Sequence, residues 1–132
     1  MEDPAEPALE PTLVLPGDRL RPPEGQTSGM VREQAFAAED RWVGYVSMDP
    51  GLVSGWHHHD GFTTFVYVAT GLFRVEFGAD GSKSLQSGPG AFVRIPPHAI
   101  HRETNPGNRA NGCVVFRTGT GTAVVNVEGP AG

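Results

Sequence analysis

The feature that most constrains this chain is its punctuation. From Trp42 onward, runs of β-branched and aromatic residues alternate with Gly, Pro, Asn and Asp at intervals of about 8–12 residues, the pattern of short strands joined by turns. The runs predict strands over Trp42–Met48, Val53–His59, Thr63–Ala69, Leu72–Phe77, Ser82–Gln86, Ala91–Ile95, Ala99–Glu103, Gly112–Arg117 and Thr122–Val127. In Leu72–Phe77, Phe73, Val75 and Phe77 share one face while Arg74 and Glu76 share the other, so one side of that strand is buried and one is wet. The 18 Gly and 12 Pro supply the reversals, at Ala69-Thr70-Gly71, Gly78-Ala79-Asp80-Gly81 and Pro106-Gly107-Asn108. No helical periodicity extends beyond about three turns and no tandem repeat is present. An all-β sandwich or double-sheet barrel with little helix follows.

The rest of the composition narrows the class of partner. A chain of 132 residues holds one domain able to bury a core without disulfides, and its single cysteine, Cys113, excludes both an intrachain disulfide and a thiolate metal cluster. Set among Val114, Val115 and Phe116, Cys113 reads as an apolar filler. The net charge of -5 disfavours nucleic acid, and no stretch approaches the roughly 20 apolar residues that cross a bilayer. The first twenty residues are acidic and Pro-rich where a secretory leader starts basic and turns apolar, so a cytoplasmic setting is expected. Residues 1–30 read as an N-terminal arm, flexible or adding an edge strand through Leu13-Val14-Leu15; residues 31–132 form the barrel. Between Thr27 and Asp40 the pattern fits either one short helix or a strand.

All five histidines fall in two places: His57, His58 and His59 in one strand, His98 and His101 some forty residues later. Residues two apart on a strand project from one face, so His57 and His59 converge while His58 points away, and His101 on a later strand closes the site. Neutral imidazoles suit Zn, Fe, Cu and Ni, whereas Ca and Mg take oxygen ligands. His98, among prolines, reads as a turn residue.

Two spaced motifs add a family resemblance. Gly51, five residues, His57-His58-His59 and an apolar strand ending at Gly71 resemble the first motif of the cupin superfamily. Gly90, five residues, Pro96-Pro97-His98, two residues, His101, three residues and Asn105 follow the second, with His98 standing where that motif has Gly. The resemblance implies a jelly-roll, double-stranded β-helix barrel holding one metal through His57, His59 and His101. It departs at Thr63 and Thr64, where cupins usually place a metal-binding Glu. Asp60 is the nearest acid but has the wrong parity; Glu103 shares the parity of His101 and is expected to face inward as a hydrogen-bond acceptor or an acid/base.

A three-imidazole site without a carboxylate is expected to be more electrophilic and more open. The resemblance implies an Fe(II)-dependent dioxygenase acting on a small chelating substrate as the leading reading. A non-redox isomerase, cyclase or lyase with Zn, Ni or Mn, in which Glu103 or Tyr67 moves protons, is the second; a binding or sensor barrel is the third. Cu is a further candidate metal. Phe65 and Tyr67, taken with Thr63 parity, together with Trp56, Phe92 and Phe116, are expected to line an apolar pocket. Exposed sheet faces and edges make a homodimer the expected assembly.

Overall fold

The computed structural model describes residues 9–23 and 26–130. Ten strands fill it: β1 (Val31–Ala38), β2 (Arg41–Ser47), β3 (His57–His58), β4 (Thr63–Thr70), β5 (Phe73–Phe77), β6 (Lys83–Ser87), β7 (Phe92–Ile95), β8 (His101–Thr104), β9 (Gly112–Thr118) and β10 (Val125–Asn126). They form two five-stranded sheets, ordered β1-β2-β9-β4-β7 and β10-β3-β8-β5-β6, with every pairing antiparallel. The core between them is Met30, Trp42, Val46, Met48, Val66, Val68, Phe73, Val75, Ile95, Cys113 and Val115. The alternation in β5 is as expected, with Phe73 and Val75 buried and Arg74 and Glu76 partly exposed. Burial pushes the Cys113 thiol up to about 12, consistent with an inert filler.

The segment that fitted helix or strand is β1. It forms a hairpin with β2 from Val31↔Ser47 to Ala38↔Arg41, with a bulge between Gln34 and Phe36. Leu13-Val14-Leu15 pairs with no strand among the described residues; Leu13 and Leu15 are exposed, a short 3-10 turn follows at Pro16–Asp18, and the chain then meets the sheet through the Leu20↔Gln34 bridge, ion pairs of Arg19 and Arg21 with Glu33, and Arg19 over the Tyr45 ring. Residues 1–8, 24 and 25 of the expected arm lie outside the described residues. No helix among the described residues is long and apolar enough to cross a membrane.

Two strands are shorter than their sequence signal. Val53–His59 contracts to β3 plus a bridge at Val53↔Thr104 because the Gly55 N–H donates to Ser28 O and the Ser54 hydroxyl accepts from the Glu103 N–H, outside any ladder. Thr122–Val127 contracts to β10 because Thr122 N–H donates instead to the Asp60 carboxylate. The ends of the two histidine motifs meet directly: Gly51 N–H donates to Asn105 O and Asn105 N–H to Leu52 O. The buried Asn105 amide holds this junction, donating to Met48 O and Arg109 O and accepting from Gly107 N–H.

Candidate metal centre

Strand pairing brings the histidines together. His57 on β3 is the direct cross-strand partner of His101 on β8, and His59 is the first residue past the end of β3, on the same face as His57. The three are at most 3% exposed, and their ligand atoms all lie within 4.8 Å of one another. His58 points the other way, its Nδ1 accepting the Asp60 N–H. His98 is exposed and sits at φ 63, the left-handed conformation that a glycine would fill without strain. Asp60 is spent on Thr122 and lies near His98, on the side away from the three imidazoles.

Backbone carbonyls fix the tautomers. The Nδ1 of His57 faces Gly55 O at 2.9 Å, that of His59 faces Ala123 O at 2.8 Å, and that of His101 faces Ala99 O at 2.8 Å. A carbonyl only accepts, so each Nδ1 carries the proton and each Nε2 presents a lone pair to the barrel interior. Burial holds His59 well below its ordinary value, with the charges of Arg117, His101 and His57 adding to the effect. Burial likewise brings His101 down to about 4. Both are neutral at pH 7, the form a metal requires.

Glu103 completes the centre. Its Oε1 lies 3.0 Å from His57 Nε2 and 3.8 Å from His101 Nε2. Burial opposes its ionisation, but the close His57 ring and the charge of the Arg32 guanidinium outweigh it and hold the carboxyl below its ordinary range. An ionised oxygen facing a ring nitrogen whose proton is on the other side is a meeting of two lone pairs, and neither Glu103 Oε1 nor His101 Nε2 has a hydrogen-bond partner. The three imidazoles fit a divalent transition metal, and the Glu103 carboxylate from β8 lies close beside them, while Thr63 and Thr64 supply no carboxylate.

Two further interior groups escape the motif reading. Arg32 on β1 donates from Nη1 to Thr27 Oγ1 at 2.6 Å and places Nη2 3.3 Å from His57 Nε2. Arg117 on β9 is 2% exposed, its guanidinium 4.3 Å over the Trp42 ring. The signal for Arg117 is parity with Cys113 and Val115 on an apolar strand.

The aromatic pocket is corrected as well. In β4 the buried set is Thr64, Val66 and Val68, so Phe65 and Tyr67 point outward, at 39% and 38% exposed. Tyr67 packs on Phe92 and Phe65 on Phe116, all on the outer face of the sheet, and Trp56 lies beneath Arg102. Tyr67 thus shares no cavity with the histidines. The inward parity in β4 belongs to Thr64, not to Thr63.

Residues 44–117 match the family model described as Cupin domain. The chain belongs to the cupin family. As a cupin it is similar in fold to an uncharacterised conserved Klebsiella pneumoniae protein with a double-stranded β-helix domain, at 18% identity and a TM-score of 0.70, over 90% of this chain and 99% of that one. It is similar also to KdgF from Halomonas sp., at 24% identity and a TM-score of 0.56, over 68% and 79% of the two chains. Against Bacillus subtilis oxalate decarboxylase the identity is 18% and the TM-score 0.65, and this cupin spans 29% of that longer chain. No curated protein matches the chain.

Proposed function

We propose that this cupin is a metal-dependent enzyme in which His57, His59 and His101, with Glu103, hold one divalent transition metal, Fe(II) in first place, and that it is a dioxygenase of a small chelating substrate. The observation that carries the reading is the convergence of three Nε2 lone pairs in a buried site, with the Glu103 carboxylate beside those of His57 and His101. When bound, the metal supplies a Lewis acid and, as Fe(II), the means to bring dioxygen and a chelating substrate together. The chain's own work is different. The three carbonyl-locked imidazoles keep their lone pairs aimed inward, the apolar walls of Met30, Val46, Val66 and Val115 exclude water, and the ionised Glu103 supplies negative charge beside the imidazoles.

A second reading, a non-redox isomerase, cyclase or lyase with Mn, Zn or Ni, is favoured by Glu103 itself, a carboxylate beside a Lewis acid being a general base. Oxalate decarboxylase of Bacillus subtilis, similar in fold, has Mn(II) centres. Oxygen consumption separates the two. The Fe(II) form is expected to take up O₂ with a β-diketone, thiol or catechol; tight Mn or Zn binding with no uptake on any of them supports the non-redox reading instead.

For the assembly the same proposal takes a homodimer. Phe65, Tyr67, Phe92, Val114 and Phe116 form an exposed apolar patch on one sheet face, and a second copy of that face is its natural cover in a two-fold pair.

A further inference from the structure

The two sheets part at one side of the barrel. β6 ends one sheet and β7 ends the other, and a cavity of about 190 Å³ lies between these edges. Its position follows from register. Phe77 on β5 is the direct cross-strand partner of His101, and Val75 that of Glu103, so both apolar side chains share the inner face with the metal centre. Across the gap, Val93 and Ile95 on β7 pair with Val66 and Thr64, which sets them on the inward side of the other sheet.

The cavity has a direction. Leu85, the cross-strand partner of Val75, is 50% exposed at the sheet edge and Pro96 is exposed, whereas Val75, Ile95 and His101 are buried, so the cavity runs from solvent down to the imidazole. Of the lining residues only Arg94 and His101 carry polar side chains. Arg94 has the outward parity of β7, opposite Phe65, which leaves His101 as the one polar side chain on the inner wall among the described residues. Such a wall offers no hydrogen bond to a polar group that has shed its water, whereas an apolar group gains by leaving water. An apolar cavity of roughly 150 Å³ takes one benzene ring, so the volume here suits a single ring or a branched chain of like bulk. A larger groove along Gly78, Ala79 and Pro130 meets none of the three ligand histidines.

We infer that this cavity is the specificity pocket of the centre. It takes an apolar side group of the substrate, a single ring or a short branched chain, while the chelating end of the same molecule lies at the three histidines. The chelating end rests on the metal-enzyme reading; the pocket itself does not need the ion. Leu85 on β6 and Val93 on β7, one from each sheet edge, set the size of group admitted.

Two titrations of the full chain at pH 7 test it. In the first, toluene is added to metal-free protein and the methyl signals are followed by NMR. Saturable shifts are expected at Val75, Leu85, Val93 and Ile95; none there, or shifts only at Val114 on the outer sheet face, overturns the pocket. In the second, Zn(II)-loaded protein is titrated calorimetrically with acetohydroxamate and benzohydroxamate, which share a chelating group and differ in a methyl against a phenyl. Benzohydroxamate is expected to bind at least about tenfold tighter, from burial of the ring. Val93→Phe fills the cavity with its own ring and is expected to cut that preference to about twofold or less, with acetohydroxamate binding nearly unchanged. Leu85→Asp, at a half-exposed position that folding tolerates, puts a charge at the mouth and is expected to cut the preference at least about threefold. Equal affinity for the two hydroxamates, or the full preference kept in both variants, overturns the inference. Toluene saturation in a protein that retains no Zn(II) sinks the metal-enzyme reading alone; Zn(II) retention with equal hydroxamate affinities sinks this inference alone.

Discussion

Glu103 Oε1 lies 3.0 Å from His57 Nε2, while the other ring nitrogen of His57 is engaged by the carbonyl of Gly55. That relationship turns a hydrogen-bonding geometry into a binding one, because the imidazole proton is already committed elsewhere. Glu103→Gln keeps the shape of the side chain and removes the charge. The expected result is a loss of metal affinity of about 10–100-fold, measured by competition with a chromophoric chelator. Unchanged affinity would show that Glu103 stands apart from the ion.

The pH dependence of folding follows from the buried imidazoles. His59 is held well below 6.5 and His101 at about 4, so the unfolded chain takes up protons there that the folded chain refuses. Stability of the metal-free protein therefore falls as the pH drops from about 6.5 toward 4. Glu103, held below its ordinary range, adds to the loss below about 4.5, because it must be protonated in the unfolded chain first. Denaturant midpoints at pH 7.5 and 5 should differ by on the order of 1–2 kcal/mol per excluded histidine. Equal midpoints would contradict the neutral, buried assignment.

Gly44 makes room for the indole that carries Arg117. A Cβ at this position would lie within 2.4 Å of both the Trp42 ring and Glu33 O. Gly44→Ala is expected to cost about 1–3 kcal/mol of stability through displacement of Trp42, read by chemical denaturation. A variant as stable as the native chain would show that Trp42 does not need the space at Gly44.

On the outer sheet face, Phe65 and Phe116 stack with ring centroids 6.4 Å apart, exposed to solvent in the single chain. A charge placed there opposes burial against a second copy. Light scattering at micromolar concentration should give a dimer for the native chain and a monomer for Phe65→Glu. A native monomer would remove the homodimer.

The strands and the histidine ligand set were legible because each rests on local chemistry: parity within a strand, and spacing between Gly51 and His57 or Gly90 and His101. What parity alone does not fix is its absolute phase. In β4, Thr63, Phe65 and Tyr67 alternate as regularly as Thr64, Val66 and Val68, and only pairing with β9 decides which set is buried. Glu103 was legible by the parity of β8, two residues beyond His101, and it is buried there, although cupin spacing directs attention to Thr63 and Thr64. Arg32 and Arg117 were missed because a charged residue in an apolar strand resembles an edge or surface position until the sheet closes over it.

Elemental analysis tests most directly whether His57, His59 and His101 hold a metal. Protein purified without added metal, then incubated with Fe(II) or Zn(II) and desalted, should retain about one equivalent of a transition metal per chain. His101→Ala, with an unchanged β-sheet circular dichroism spectrum, should retain less than a tenth of that. A native chain that holds no metal, or a folded His101→Ala that holds as much as the native chain, would contradict the account.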